Sequence, residues 1–484
     1  MPLRQSSVPI ALAALLLAGC AAIPTDQPFE KALAANNVGL TANAAVSTAP
    51  VMPAWWKALN DPQLNRLMAD ALAGNPTLAE AQARLRGAQA SLGISQAGKL
   101  PSVGIDVDEQ RERLSEEYII PPPYGGSTVW MGTTQASLSW SLDLAGKQAA
   151  LVDQTQAGVA SAALDAEAAR VTLSGAMTQA YVNLARAEQQ VAIARDIAVS
   201  RDESLRLAQS RIRHELASQF DARAAETLLA EARQALVRAQ GDRNLVVHAI
   251  AALAGHGADY YAAITPPSLK VADIMPVPNT VPADLLGRRP DLLAAMARID
   301  AANAGRRVAR ADFFPNVDLK AFLGVQAIGL GALFTRSALS YGAGPAIHLP
   351  IFEGGRLSAT YKGATAQIDV AIAQYNAQVL TAVKEAADAL SAIQTAQADA
   401  EQQKLLLASL TDAVRLDQIR FDAGLGSRLD TITSGDRVLQ ARQAQINIDA
   451  DGALRRIQLA VALGGGFNPL SSNSAPGADA GAAQ

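Results

Sequence analysis

Two periodicities take turns along this chain, and each turn is made twice. Leu64, Leu67, Met68, Ala71 and Leu72 recur at helical spacing, which predicts a helix over Asp61–Ala97 with one apolar face. A second helix is predicted over Pro282–Ala311, and Pro101 and Pro315 end the two, since proline cannot continue a helix. Period-two alternation follows. Val103, Ile105 and Val107 alternate with Gly104, Asp106 and Asp108, and Ala136, Leu138, Trp140 and Leu142 with Gln135, Ser137, Ser139 and Ser141. Later, Val317, Leu319, Ala321, Leu323 and Val325 alternate with Asp318, Lys320 and Gln326, and Tyr341, Ala343, Ile347 and Leu349 with Gly342, Gly344, Ala346 and His348. These predict two β-hairpins, about 101–142 and 315–350. From Gly146 to Leu216 and from Gly355 to Gly424 the chain then runs without proline. As helix, ~70 residues extend ~105 Å, far beyond an ordinary globular element. Return helices are predicted over Ser218–Gly255 and Ser427–Gly464. In the first, Leu228, Leu229, Ala232, Ala235, Leu236, Ala239 and Val246 interleave with charges, the surface of a long helix pair with one packed face.

The recurrence is a tandem repeat. Pro76-Thr77-Leu78 matches Pro290-Asp291-Leu292, and Pro101 matches Pro315, at a spacing of 214. Gly146-Lys147 matches Gly355-Arg356, and Arg211, Leu216, Ser218 and Asp221 match Arg420, Leu425, Ser427 and Asp430, at 209. The five-residue change falls between Pro101 and Gly146, and a loop is where length changes are tolerated. Strands of about ten residues with one apolar face suit a transmembrane barrel. Four strands cannot close one, because their edges would stay unpaired in lipid. Closure therefore needs copies. Two, three or four would give eight, twelve or sixteen strands.

Composition narrows the class further. Alanine is roughly a fifth of the 484 residues and aromatics are 4%, which favours closely packed helices. A net charge of −4 without a basic block argues against nucleic acid as a partner. Four His and one Cys leave no Cys/His metal cluster and no intrachain disulfide. No catalytic triad order, phosphate loop or zinc spacing is present, so an enzyme is the least favoured class and no cofactor is expected.

The N-terminus sets the compartment. Arg4 precedes an apolar run, Val8–Ala18, too short to span a bilayer. Leu17-Ala18-Gly19-Cys20 follows and resembles a bacterial lipobox, which implies a signal peptide over 1–19 and diacylglycerol on the Cys20 thiol. Ala21 stands where an inner-membrane retention signal would carry Asp, so outer-membrane sorting is expected. Residues 20–53 read as a lipidated linker, 266–281 as a second linker and 468–484 as a disordered tail.

Leu285-Leu286-Gly287-Arg288-Arg289-Pro290-Asp291, Ala309-Arg310-Ala311-Asp312-Phe313-Phe314-Pro315 and Leu349-Pro350-Ile351-Phe352-Glu353-Gly354-Gly355-Arg356 resemble the TolC/OprM-like outer-membrane factors of multidrug efflux. The resemblance runs from Trp55-Trp56 to Phe467, over repeats 54–265 and 282–467. It implies a mixed α+β membrane protein, mainly α. The assembly would be a homotrimer, with a twelve-stranded barrel in outer-membrane lipid continuous with a periplasmic helical barrel. Its partners would be a periplasmic adaptor and an inner-membrane pump of the RND or MFS type. The function implied is a passive exit duct for drugs. The exit duct of a type I protein secretion system fits the same architecture, and a lipid-anchored coiled coil is the competing non-channel class.

The resemblance also implies site residues. At the tip turns, 211–221 and 420–430, Leu216, Ser218, Gly424, Leu425 and Ser427 would contact the adaptor. Asp430, and Asp221 as its counterpart, would line the periplasmic gate, where clustered carboxylates raise one another's pKa. Glu215 stands where the family has glycine, which puts the first tip's backbone geometry in question. Thr433 replaces a second family acid. A first-turn Asp is also favoured by the helix dipole alone, and Arg288-Arg289-Pro290-Asp291 reads as structural for the same reason.

Overall fold

The computed structural model describes residues 23–33, 52–117, 119–269 and 289–467. In order, the elements are α1 (Pro62–Gly74), α2 (Pro76–Ala97), β1 (Ser102–Arg113), β2 (Thr128–Ser141), α3 (Lys147–Arg213), α4 (Gln219–Leu253), α5 (Pro290–Ala311), β3 (Asn316–Ile328), the single turn α6 (Leu330–Leu333), β4 (Leu339–His348), α7 (Arg356–Asp422) and α8 (Arg428–Ala462). The repeat is kept to the residue. The 22-residue α2 returns as α5, the 67-residue α3 as α7, and the 35-residue α4 as α8. The extra residues of the first repeat lie in the 114–127 connection, which carries Pro121-Pro122-Pro123-Tyr124-Gly125-Gly126.

The first helix is not continuous over Asp61–Ala97. It breaks at Asn75, because Pro76 bars its predecessor from helical geometry. The Asn75 carboxamide oxygen then accepts from the N–H groups of Thr77 and Leu78, capping α2. Of the helix expected over Pro282–Ala311, Pro290–Ala311 is helical and 282–288 lie outside the described residues.

Two compact units exist, and neither is a repeat. Among the described residues one comprises 23–32, 84–117, 119–162 and 295–375, the other 33, 52–83, 163–269, 289–294 and 376–467. Each draws on both repeats, because α3 and α7 each pass through the two units. The first unit holds the sheet. Its strands run β1-β2-β3-β4, all antiparallel. Register aligns Val103, Leu138, Ala321 and Ala343 across the four strands, then Ile105, Ala136, Leu323 and Tyr341. The opposite face aligns Ser102, Ser139, Lys320 and Gly344, then Asp106, Gln135, Gly324 and Ser340. Phe322 is a large apolar residue on that polar face, and it lies over Gly342, where a Cβ would sit 2.7 Å from its ring. At the sheet-to-helix junction both carboxylate oxygens of Asp143 cap α3, accepting from Gln148 and Ala149 N–H at 2.7 and 2.8 Å. The described linker residues 23–33 are extended but pinned: Ile23 packs on Phe313 and Tyr361, and Glu30 N–H donates to Asp369.

The second unit packs α1 around Leu64, Leu67, Met68 and Ala71, against Trp55, Met177, Tyr181, Ile250 and Ile457. Asp61 caps α1 through Gln63 and Leu64 N–H and also accepts from Ser268 N–H and hydroxyl. Burial pushes the Asp61 carboxyl up, but its bonds from Tyr181, Leu64, Ser268 and Gln63 outweigh this and hold it below the usual range.

Both tip turns in this unit have one backbone. Leu216 N–H donates to Arg211 carbonyl and Glu215 N–H to Ile212 carbonyl; Leu425 donates to Arg420 and Gly424 to Phe421. This is the double hydrogen-bonded helix end that needs a left-handed residue. Gly424 supplies it at φ 72° and Glu215 at φ 59°. The glutamate therefore keeps the turn and carries the strain, since left-handed geometry costs a non-glycine residue about 1–2 kcal/mol. Glu215→Gly is expected to raise amide exchange protection across 211–221 by about 1 kcal/mol. Gly424→Ala should lower protection across 420–430 by a similar ~1 kcal/mol, with no clash, because a Cβ there meets nothing within 4 Å. Hydrogen exchange of both variants measures the pair.

Candidate functional site

Each tip carries the same short chain of chemistry. The Ser218 N–H and hydroxyl donate to the Asp221 carboxylate at 2.8 and 2.9 Å, and those of Ser427 donate to Asp430 at 2.9 and 2.8 Å. Asp430 N–H reaches back to the Ser427 hydroxyl at 3.2 Å. These are capping boxes with Asp in the third position. The bonds from the serine N–H and then its hydroxyl hold both carboxyls below the ordinary range, helped by Arg211 beside Asp221 and Arg420 beside Asp430. Within one chain the shift is thus downward, opposite to the rise expected from clustered acids. The cap is complete above the ordinary carboxylate range and is lost as pH falls through the lowered value.

Around these caps the tips are apolar and open. Leu216 is 69% exposed, Leu425 75% and Phe220 78%. The structure thus gathers Leu216, Ser218 and Asp221 in one turn, and Gly424, Leu425, Ser427 and Asp430 in the other. Exposed apolar side chains on a polar surface mark a contact face.

The ion pairs behind the tips were not read from the sequence. Arg428 at the start of α8 reaches Glu203 of α3 at 2.7 Å. Arg201 meets the buried Asp436 at 2.7 Å, and the Ser200 hydroxyl donates to the same carboxylate at 2.8 Å. These partners lie over 220 residues apart, so no local spacing betrays them. Phe220 was also missed; its counterpart in the second repeat is Leu429, and an exposed aromatic directly after a cap was its only signal.

Arg289 is structural. Its guanidinium bonds Asp291, Glu385 and the Ala462 carbonyl, joining α5, α7 and α8. Cys20 lies outside the described residues. Among the described residues no group of three or more His, Cys, Asp or Glu could hold a metal ion, and no helix is long and apolar enough to cross a membrane.

The sheet offers a different surface. Val103 is 70% exposed, and Ile105, Val107, Leu323, Tyr341 and Ile347 are exposed with it on one face. The other face presents Asp106, Asp108, Ser137, Ser139, Lys320 and Gln326. An apolar face beside a polar one, with strands of 10 to 14 residues, is the pattern of a strand set between lipid and water.

Comparison with known proteins agrees. The chain is 34% identical to the fusaric acid resistance protein FusA of Burkholderia cepacia, over 76% of this chain and 71% of that one. It is 28% identical to the multidrug resistance outer membrane protein MdtP of Escherichia coli, over 93% and 94%. The crystal structure of the outer membrane protein VceC from Vibrio cholerae is 30% identical, with a TM-score of 0.78 over 87% of this chain and 100% of that one. The family model for outer membrane efflux proteins matches residues 67–256 and 281–465, the two repeats in turn. This chain belongs to the outer membrane efflux protein family.

Proposed function

We propose that the chain forms, as a homotrimer, the exit duct of a tripartite drug-efflux system. The observation that carries this is the four-stranded sheet, apolar on one exposed face and polar on the other, with both edges open. Three copies would give a twelve-stranded barrel in the outer membrane, with the polar face around the lumen. The apolar tips at Leu216, Phe220 and Leu425 would dock a periplasmic adaptor, which couples the duct to an inner-membrane pump of the RND or MFS type. The duct performs no chemistry and needs no cofactor. The pump selects the cargo. Likeness to a protein named for fusaric acid resistance makes small toxic organic acids the first compounds to try.

Disruption of the gene should lower the minimal inhibitory concentration of such compounds and raise their accumulation in cells. Loss of a secreted protein with unchanged drug sensitivity would overturn the drug-efflux assignment. Leu319→Arg places a cation on the lipid face, costing about 2–4 kcal/mol at the bilayer midplane, and should deplete the protein from the outer membrane. Lys320→Gln on the polar face should leave assembly intact. Equal assembly of the two variants, in an outer-membrane fraction, counts against the barrel.

Cys20, in this reading, carries diacylglycerol and tethers the mature N-terminus. Cys20→Ser should abolish fatty-acid labelling; labelling that persists excludes the lipoprotein.

Asp430 would also serve the gate. In the trimer three Asp430 carboxylates near one axis would focus a negative field that favours cations and is screened over ~10 Å at 0.1 M salt. Asp430→Asn keeps an oxygen for the Ser427 cap and removes only the charge. In planar bilayers it should reduce cation preference and block by multivalent cations, and Asp221→Asn should do less. Wild-type selectivity in Asp430→Asn leaves the residue a helix cap alone.

A further inference from the structure

Two tryptophans border the apolar face of the sheet. Trp140 pairs with Leu319 and Trp130 with Arg111, so both indoles lie on the face of Leu138, Ala136 and Ile105. Both are partly exposed, and Trp140 Nε1 donates to the Lys99 carbonyl at 3.0 Å. They stand ten residues apart on β2. At ~3.4 Å per residue and a ~40° tilt, that is ~26 Å across a bilayer. The apolar band of a transmembrane barrel is ~25 Å tall, with aromatic residues at each border. Helices α2, α3, α5 and α7 all join the sheet at the Trp140 end, so in the barrel proposed above Trp130 lies at the outer leaflet.

That end of the apolar face carries cations. Arg111, opposite Trp130, and Arg113, opposite Thr128, share the face. Arg111 is exposed and has no ion pair or hydrogen bond among the described residues. Arg113 meets Glu116 at 3.2 Å with both side chains exposed, a pair too weak to resist a competing anion. Glu109, opposite Gly132, lies on the midplane side of Arg111, and the acids Asp108 and Glu112 occupy the polar face.

The β3–β4 connection folds onto the same apolar face. Gly329 N–H donates to the Trp130 carbonyl at 2.7 Å, and its φ of 91° turns the chain. The α6 turn then sets Leu333 over Gly132, where a Cβ would come 3.1 Å from the leucine side chain. Gly132 shares the face of Thr134, Ala136 and Leu138, so the connection covers the side turned to lipid and leaves the polar face clear. Leu333 is buried there, while Leu330 and Phe334 on either side stay exposed, Phe334 by 81%. The exposed Arg336 follows. Apolar side chains with arginines beside them suit the border where acyl chains give way to headgroups.

We propose that this end of the sheet binds a phosphorylated lipid headgroup of the outer leaflet, with Arg111 and Arg113 on the phosphate and Leu330 and Phe334 among the acyl chains. The site rests on the barrel reading above. Guanidinium forks match phosphate oxygens bidentately. The two arginines are neighbours on one face of one strand, ~7 Å apart, within reach of a single phosphate group. A phosphate also supplies the counter-ion that Arg111 lacks in the single chain.

The test uses the full-length trimer in detergent, titrated with lipid A, a phosphorylated glycolipid, and with the same lipid after its phosphates are removed. Wild type should bind lipid A more tightly. Arg111→Gln with Arg113→Gln should raise the lipid A concentration at half saturation about thirtyfold and leave the dephosphorylated lipid unaffected. Phe334→Ser should weaken both lipids alike. Millimolar inorganic phosphate should displace neither. Equal affinity of the wild type for the two lipids, a result that needs no variant to fold, overturns the phosphate site. Displacement of lipid A by inorganic phosphate makes the ligand the free anion and overturns the lipid assignment. Both results leave the trimer and its barrel standing. A wild-type chain that is monomeric and absent from the outer-membrane fraction overturns the barrel, and this site with it.

Discussion

Inside a bilayer every backbone N–H and C=O must find its partner within the protein, and in the proposed barrel that requirement would govern this chain. A single copy satisfies three of the four seams a four-stranded ring would have: β1–β2, β2–β3 and β3–β4. The fourth cannot close within the chain, because four strands have too small a circumference to wrap on themselves. The exposed Val103, Ile105, Tyr341 and Ile347 on one side of the sheet add a second requirement, that this side face something apolar. Lipid on that face and further copies at the edges, as proposed, would meet both at once. The long helices follow from the same economy, since α3 leaves β2, and α7 leaves β4, by short turns set by Asp143 and by Gly354 and Gly355.

The tips show how far a repeat can diverge without changing its backbone. Hydrogen bonds at the two turns match partner for partner, although one left-handed residue is glycine and the other glutamate. Conformation is held by the helix end and by the serine–aspartate cap that follows, so the side chain at the turn is free to differ. What the two tips present to a partner is therefore different: a glutamate and Phe220 on one, a bare glycine and Leu429 on the other. A single docking surface would read them as related but unequal.

Much of this was legible because the informative residues act locally. Proline ended helices, glycine and serine marked the turns, and the 67-residue helices emerged from the absence of proline. The break at Asn75 was missed because the apolar stripe that marked the helix, Leu64 to Leu72, ends before it, and Pro76 was read as lying inside one continuous helix. The compact units were missed for a different reason. A repeat is a unit of sequence, but neither copy buries its own apolar faces, so compactness cuts across both. The pairs Arg428–Glu203 and Arg201–Asp436 depend on which helices become neighbours, and a single sequence carries no sign of that.

Charge on the sheet gains a meaning from the edges. β1 carries Asp106, Asp108, Glu109, Arg111, Glu112 and Arg113, whereas β4 carries only His348 among its ten residues. Charged residues on an edge strand discourage promiscuous pairing. Two β1 edges brought together in antiparallel register would set Asp106 and Asp108 against each other, which like charges oppose. Two β4 edges would pair flat, glycine-rich strands whose register little would define. Pairing of like edges is thus disfavoured on both sides of the sheet. The internal seam needs no such devices, since the chain itself delivers β2 to β3.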